Sequence, residues 1–273
     1  MKYYYPQHIQ GYARVKAEGK TTWGQLFGER GFDDFSASAF LTAVLPTLEF
    51  DSPNPEAFNY GCGTGPDACF LAERGFDVDA VDIIPTAIEI ARQQAALRGL
   101  DINYAVQDVC ELSPEGKQYH MVVDSFCLQC IVFDDERQRL FSAVSALLKP
   151  HGYYLISTAV MDMHHRAMIR QRETVTGRTT GIVYTRYLND GNALIDLTTG
   201  IVLTPVDDPD IREGMVGGLD AYSDAVKVND QWFLPHRRHL TQDQLVAELS
   251  EAGFQVVYRY PEHEGELACV KRE

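Results

Sequence analysis

Short apolar segments alternate with longer amphipathic segments through the middle of this chain, and this alternation restricts the fold more than any other feature. The apolar segments, which we interpret as strands, are residues 57–60, 78–81, 102–106, 120–124 and 153–158. Helices are predicted over 86–98, where Pro85 suits the first helical position, and over about 135–148. Strands joined by helical crossovers run parallel in a sheet that helices cover on both faces. The sequence therefore predicts a doubly wound, mostly parallel α/β fold.

The pattern changes near the end of the chain. Thr241 and Gln244 have the spacing of a capping box, which predicts a helix that Gly253 ends. Strands are then predicted over 254–260 and 267–271, and the six residues between them are too few for a crossover helix. These two strands must pair as an antiparallel hairpin at the end of the sheet.

Two segments lie outside this alternation. Residues 1–50 contain helical patterns and are expected to form an N-terminal helical cap. Residues 161–235 form an insertion after the fifth strand, in which 182–188 and 193–197 flank an Asp-Gly turn and predict a β-hairpin.

This organisation divides the chain into three parts. The cap is 1–50, the α/β core is 51–160 with 236–273, and the insertion is 161–235. A two-stranded hairpin does not bury both of its faces alone, so the insertion is expected to act as a substrate lid or as a dimerisation arm.

A glycine-rich turn stands between the first strand and the helix that follows it. Gly61, Gly63 and Gly65 allow a tight turn and let the backbone approach a ligand. Asp82 ends the next strand, where a carboxylate accepts hydrogen bonds from both hydroxyls of a ribose. A nicotinamide dinucleotide site expects its third glycine five residues after the first, but that position holds Pro66. The spacing of the turn therefore does not match the dinucleotide-binding motif.

The stretch from Ala57 through this turn resembles the first motif of the class I S-adenosylmethionine-dependent methyltransferases, except that Asn59 stands where the family usually has an acid. Three further stretches resemble later motifs of the same family, namely Val81-Asp82-Ile83, Gln107-Asp108-Val109 and Asp124-Ser125-Phe126. The resemblance covers about 55–160 and 236–273, and it implies a seven-stranded sheet that ends in an antiparallel hairpin.

The resemblance also implies a set of cofactor-binding residues. In the family, the motif that Gln107-Asp108-Val109 resembles holds the adenine, with its acid at the exocyclic amine. The motif that Asp124-Ser125-Phe126 resembles lines the cofactor. The expected S-adenosylmethionine site consists of Gly61, Cys62, Gly63, Gly65, Asp82, Ile83, Gln107, Asp108, Val109, Asp124, Ser125 and Phe126.

Composition restricts the partners. The chain has 24 Lys and Arg against 39 Asp and Glu, a formal net charge of −15, which disfavours nucleic acid and anionic membrane surfaces. No apolar run is long enough to span a membrane. Six cysteines without a disulfide framework suit free thiols in a reducing cytoplasm. We expect a cytoplasmic monomer or homodimer that acts on a small molecule.

Several further residues were weighed as site residues. Cys127 and Cys130 form a single CxxC without a second pair, and the adjacent His164 and His165 point in different directions, so no metal site is predicted. Candidate substrate contacts are Tyr12, Trp23, Gln129, Tyr184 and His236. No residue is assigned as a catalytic base.

The sequence thus favours transfer of a methyl group from S-adenosylmethionine to N, O or S of a small-molecule acceptor. Two alternatives stay open, a nicotinamide-dependent oxidoreductase and a non-catalytic protein that binds S-adenosylmethionine.

Overall fold

The structure is a computed structural model that describes residues 2–26, 35–112, 116–178, 181–187 and 192–272. The chain forms two compact units. The core unit comprises Tyr12–Leu128, Phe133–Thr158 and Leu245–Glu273. The insertion unit comprises Met1–Gly11, Gln129–Val132 and Ala159–Gln244.

The regular elements follow the predicted alternation. The α-helices of the described residues are α1 (Tyr5–Ala17), α2 (Ala39–Val44), α3 (Pro66–Ala72), α4 (Pro85–Leu97), α5 (Asp134–Leu147), α6 (Met163–Ala167), α7 (Pro209–Gly214) and α8 (Gln242–Glu251). The strands are β1 (Glu56–Tyr60), β2 (Asp77–Asp82), β3 (Asn103–Val106), β4 (Tyr119–Ser125), β5 (Leu148–Ser157), β6 (Arg170–Thr176), β7 (Val183–Tyr187), β8 (Ala193–Ile195), β9 (Ile201–Pro205), β10 (Val226–Val228), β11 (Gln231–Arg238), β12 (Phe254–Arg259) and β13 (Glu266–Lys271).

The core unit contains a seven-stranded sheet in the order β12-β13-β5-β4-β1-β2-β3. Strands β1 to β5 pair in parallel, as the helical crossovers require. The central strands are buried on both faces, since β4 is buried from Tyr119 to Asp124. The predicted doubly wound, mostly parallel fold is confirmed.

The sheet ends in the predicted antiparallel hairpin. β12 pairs with β13, and β13 in turn runs antiparallel to β5. The capping box before α8 is present, because the Thr241 N–H donates to Gln244 Oε1 (2.9 Å) and the Gln244 N–H donates to Thr241 Oγ1 (3.3 Å). One boundary differs from the prediction: β5 begins at Leu148, directly after α5, rather than at 153.

The insertion unit contains a six-stranded antiparallel sheet in the order β10-β11-β9-β8-β7-β6. The predicted hairpin strands are β7 and β8, which pair with Tyr187 opposite Ala193. The residues of the predicted Asp-Gly turn, 188–191, lie outside the described residues. Apolar side chains cluster on both faces of this sheet, around Tyr187 on one and around Tyr184 on the other.

Candidate functional site

The glycine turn between β1 and α3 is built so that no side chain fits into it. Gly61, Gly63 and Gly65 have φ values of 58°, 55° and 88°, in the left-handed region that favours glycine. A Cβ on Gly61 would collide with Cys127, and one on Gly65 would collide with the Tyr104 hydroxyl. The turn therefore requires glycine at each of these positions.

Asp82, at the end of β2, is fixed by two backbone N–H groups. Its Oδ2 accepts from the Gly63 N–H at 3.0 Å, and its Oδ1 accepts from the Ile84 N–H at 2.9 Å. Burial raises the pKa of Asp82 to about 6, although the backbone N–H groups of Ile84, Gly63 and Ile83 lower it. The carboxylate is thus largely ionised at neutral pH and is held in one orientation against the glycine turn. Each oxygen keeps acceptor capacity for a ligand.

A partly buried chain of hydrogen bonds lies at the carboxyl ends of β1 and β4. Asn59 Nδ2 donates to Ser125 Oγ at 2.9 Å, and Ser125 Oγ donates to Asp67 Oδ2 at 2.7 Å. Asp67 Oδ1 accepts from the Ser38 N–H at 2.9 Å. Sequence reasoning missed Asp67, although an acid in the first helical turn after a glycine-rich loop was a usable signal. Asn59 therefore has a structural role as the donor that orients Ser125.

Asp124, at the end of β4, is the most perturbed acid of this region. Its Oδ1 accepts from the N–H groups of Cys127 (2.9 Å) and Leu128 (3.1 Å), while Oδ2 has no hydrogen-bond partner among the described residues. Burial raises the pKa of Asp124 to about 8, so the carboxyl is largely protonated at neutral pH. Asn59 Oδ1 is likewise buried without a partner in the described structure. A ligand with positive charge and N–H donors, such as S-adenosylmethionine, would satisfy both oxygens and would favour the ionised form of Asp124.

The raised pKa of Asp124 predicts a pH dependence of stability. Because its folded pKa of about 8 lies above the ordinary value of 3.8, the free energy of unfolding should fall as pH rises from about 4 to about 8. Asp124→Asn cannot ionise, so urea unfolding across this range should show a flatter pH dependence than the wild type. The exposed Asp101→Asn is the control and should follow the wild type. Identical pH profiles of Asp124→Asn and wild type would contradict a protonated Asp124.

The comparisons with known proteins agree with this geometry. Residues 58–152 match the family model of a methyltransferase domain. Solved structures share the fold: a SAM-dependent methyltransferase from Methanosarcina mazei has a TM-score of 0.57 at 18% identity, over 87% of this chain and 99% of that chain. The CcbJ methyltransferase from Streptomyces caelestis has a TM-score of 0.59 at 16% identity, over 97% of each chain. Residues 58–152 are thus similar to a methyltransferase domain, and the core unit has the fold of these solved methyltransferases.

Curated relatives of the methyltransferase domain share more sequence over a shorter stretch. The ubiquinone biosynthesis O-methyltransferase of Rickettsia conorii is 35% identical over 128 residues, which cover 45% of this chain and 43% of that protein. The enzyme of the same name from Coxiella burnetii is 31% identical over 98 residues, 36% of this chain and 41% of that protein. The chain thus spans less than half the length of these relatives.

The other predicted cofactor residues of the domain surround the ends of β2 and β3. The Gln107 N–H donates to the Asp82 carbonyl at 3.0 Å, which brings the ends of the two strands together. Asp108 Oδ1 accepts from the Cys110 N–H at 2.9 Å and caps the short turn that contains the buried Val109. The predicted adenine contact of Asp108 stays a prediction.

Three predicted residues are positioned by the backbone around them. Phe126 has a φ of 58°, unusual for a residue with a large side chain, and its N–H donates to the Ser157 carbonyl at 2.9 Å. Cys62 is buried, and burial raises the pKa of its thiol well above the ordinary value. Ile83 lies between Asp82 and the Ile84 N–H that binds it, so it is part of the loop that fixes the carboxylate.

Two of the five predicted substrate residues lie at the glycine turn. A Cβ on Gly63 would lie 2.7 Å from the Tyr12 hydroxyl, so this hydroxyl packs directly on the turn. The ring of Trp23 stands edge-on to that of Tyr12, with centroids 5.0 Å apart. Sequence reasoning named both residues without any indication that they contact each other.

The other three predicted substrate residues belong to the insertion unit. Gln129 Oε1 accepts from the Ala159 N–H at 2.6 Å, and His236 bonds to Gln7 and Thr204. Tyr184 packs in an apolar cluster with Phe233. Packing accounts for Tyr184 without a ligand, and its predicted substrate contact stays a prediction.

The histidines and cysteines considered above as metal ligands have other contacts in the structure. His165 Nδ1 bonds to Asp162 at 2.8 Å, in the N-cap of α6, and the ring of His164 lies at 83° to that of His165. Cys127 and Cys130 form no disulfide bond. Within the described ranges no group of three or more His, Cys, Asp or Glu has the arrangement of a metal site.

Proposed function

We propose that this protein is an S-adenosylmethionine-dependent methyltransferase that acts on a small-molecule acceptor. The observation that carries the proposal is the fixed Asp82 carboxylate, which the Gly63 N–H joins to a turn that accepts no side chain. A rigid acceptor of this kind binds a ribose without reorganisation, which favours affinity.

Different residues of the core unit would bind different parts of the cofactor. Asp82 would hold the ribose hydroxyls, Asp108 the adenine, and the glycine turn with Asp124 the amino-acid end of the cofactor. When bound, S-adenosylmethionine supplies an activated methyl group, and the protein aligns the acceptor and excludes water. No side chain is assigned as the base, because alignment alone accelerates such displacements.

Charge and relatives support a small-molecule acceptor. A net charge of −15 opposes binding of nucleic acid and of anionic membranes. None of the helices in the described part of the chain is long and apolar enough to cross a membrane. The named relatives include O-methyltransferases of ubiquinone biosynthesis. A structural neighbour from Burkholderia thailandensis is a 1,6-didemethyltoxoflavin-N1-methyltransferase (TM-score 0.52, 17% identity, 96% of this chain and 86% of that chain). These names include both oxygen and nitrogen acceptors.

The alternatives make different predictions for binding and turnover. Calorimetry should show saturable binding of S-adenosylmethionine and of S-adenosylhomocysteine and none of NAD. Binding of NAD alone would instead favour an oxidoreductase. Release of methyl-labelled product from a metabolite mixture separates an enzyme from a protein that only binds the cofactor.

The predicted role of 161–235 as a lid or dimerisation arm stays a prediction. Light scattering on a variant in which a Gly/Ser linker replaces 161–234, together with its cofactor affinity, separates the two roles. If the segment is a lid, the variant keeps the oligomeric state of the wild type and binds cofactor without methylating the acceptor. If the segment is an arm, the variant is a monomer where the wild type is a dimer.

A further inference from the structure

Arg137 of α5 joins two parts of the core unit that are far apart in the sequence. Its Nε and Nη2 donate to the two carboxylate oxygens of Glu248 on α8, both at 2.6 Å, and its Nη1 donates to the Leu128 carbonyl at 2.9 Å. Both Arg137 and Leu128 are buried. A planar guanidinium that is bonded along two of its edges keeps one orientation, so the Leu128 carbonyl is held against α5.

Leu128 is bonded in turn to one of the predicted cofactor residues. The N–H groups of Cys127 (2.9 Å) and Leu128 (3.1 Å) both donate to Asp124 Oδ1, at the carboxyl end of β4. The loop from Asp124 to Leu128 therefore closes on the side chain of its first residue. Because the N–H and the carbonyl of Leu128 are both bonded, a displacement of the carbonyl also displaces a donor of the Asp124 carboxyl.

The same loop packs on the glycine turn. Cys127 lies so close to Gly61 that a Cβ on the glycine would collide with it. The Phe126 N–H donates to the Ser157 carbonyl at 2.9 Å, which joins the loop to the end of β5. The loop thus contacts the turn that is expected to bind the cofactor at one point and is bonded to Arg137 at another. A displacement of Leu128 would therefore reach both Asp124 and the glycine turn.

Arg137 also acts on Asp124 through its charge. Burial raises the pKa of Asp124 to about 8 and the nearby Asp67 carboxyl adds to the rise, whereas the two backbone N–H groups and the charge of Arg137 lower it. Burial and the charge of Asp124 raise the pKa values of Tyr60 and Tyr154 well above the ordinary value, so both phenols are neutral at neutral pH. The positive charge of Arg137 therefore favours the ionised form of Asp124.

We propose that Arg137 is a positioning residue of the cofactor site: through its bond to Leu128 it holds the loop from Asp124 to Leu128 in the form that binds S-adenosylmethionine. Arg137 acts through this loop and not by contact with the cofactor. The inference rests on the proposed methyltransferase function, and it adds to the site a residue that none of the sequence motifs contains.

The test separates the bond to Leu128 from the stability of the core unit. Arg137→Met combined with Glu248→Leu removes the bond to Leu128 and leaves no buried charge alone. Leu249→Ala, at a buried position of the same helix α8, lowers stability by removing apolar contacts but keeps Arg137 and its bonds. Calorimetry with S-adenosylhomocysteine on the folded full chain should show at least about 10-fold weaker binding by the double variant. Leu249→Ala should bind like the wild type.

The pKa of Asp124 provides a readout that a loss of stability alone does not change. NMR of protein labelled with ¹³C at the aspartate carboxyl carbons measures this pKa, and Asp124→Asn identifies the resonance. The double variant should raise the pKa of Asp124 above that of the wild type, because it removes a positive charge and releases the loop that carries the two N–H donors. Leu249→Ala should leave the pKa of Asp124 unchanged.

A measurement on the wild type tests the proposal even if the double variant does not fold. Addition of S-adenosylhomocysteine should shift the ¹⁵N resonance of Arg137 Nε saturably, while that of the exposed Arg139 stays in place. The absence of a shift at Arg137 would overturn the proposal. Wild-type affinity in the folded double variant, or an equal loss of affinity in Leu249→Ala, would do the same. Failure of the wild type to bind S-adenosylhomocysteine counts against the proposed function instead.

Discussion

Asp82→Ala is expected to weaken binding of S-adenosylmethionine by about 2–4 kcal/mol, roughly 30- to 1,000-fold in Kd. The substitution removes both charge-assisted hydrogen bonds to the ribose hydroxyls. It also leaves the Gly63 and Ile84 N–H groups without the acceptor that now orients them. Calorimetry on the folded variant measures the loss directly.

Two further measurements distinguish this role from a general effect on stability. Asp101→Ala removes an exposed acid from a loop and should leave the affinity unchanged. Because burial raises the pKa of Asp82 to about 6, the affinity of the wild type should fall as pH drops below 6, when the carboxyl takes up a proton. An Asp82→Ala variant with an intact fold and wild-type affinity would refute the ribose assignment.

Arg137→Met is expected to lower the free energy of unfolding by about 3–5 kcal/mol, the usual effect of removing one partner of a buried ion pair. Arg137 is only 2% exposed. Its Nε and Nη2 donate to the two carboxylate oxygens of Glu248, both at 2.6 Å, and its Nη1 donates to the Leu128 carbonyl at 2.9 Å. The substitution leaves a carboxylate and a carbonyl without their donor. Urea denaturation measures the effect.

The neighbouring Arg139 provides the matched control. It pairs with Asp135 one turn earlier on the exposed face of α5, with half of its side chain accessible to water. Arg139→Met should therefore cost at most about 1 kcal/mol. Arg137→Met combined with Glu248→Leu should recover part of the loss, since no charge then stays buried alone. If Arg137→Met lowered the free energy of unfolding no more than Arg139→Met does, the ion pair between Arg137 and Glu248 would contribute little to stability.

The core unit could be predicted because its determinants are local in the sequence. Strand and helix periodicities do not depend on distant residues, and the short connection between β12 and β13 excluded a crossover helix. The glycine turn and Asp82 belong to adjacent elements, so their meeting followed from the order of the strands alone.

The insertion unit could be predicted only in part. The hairpin of β7 and β8 had a turn signal, whereas β9 and β11 contain Pro205 and Pro235, which usually argue against a strand. β11 accommodates its proline at an irregularity in the pairing with β9, between Pro235 and Arg237. Such an irregularity leaves no pattern in a single sequence.

Long-range polar contacts were also beyond sequence reasoning. His236 and Gln7 are 229 positions apart, and Arg137 and Glu248 are 111 apart. His236 was named as a candidate substrate contact, but its bond to Gln7 is visible only when the surrounding side chains are in place. The positive φ of Phe126 has no sequence signal either, since glycine or asparagine is the usual residue there.

A crystal structure of the protein with S-adenosylhomocysteine tests the central claim most directly. We expect both ribose hydroxyls on the Asp82 carboxylate, the adenine at Asp108, and the amino-acid end against the turn from Gly61 to Gly65. A nucleoside bound elsewhere in the chain, with the Asp82 carboxylate making only its bonds to Gly63 and Ile84, would contradict it.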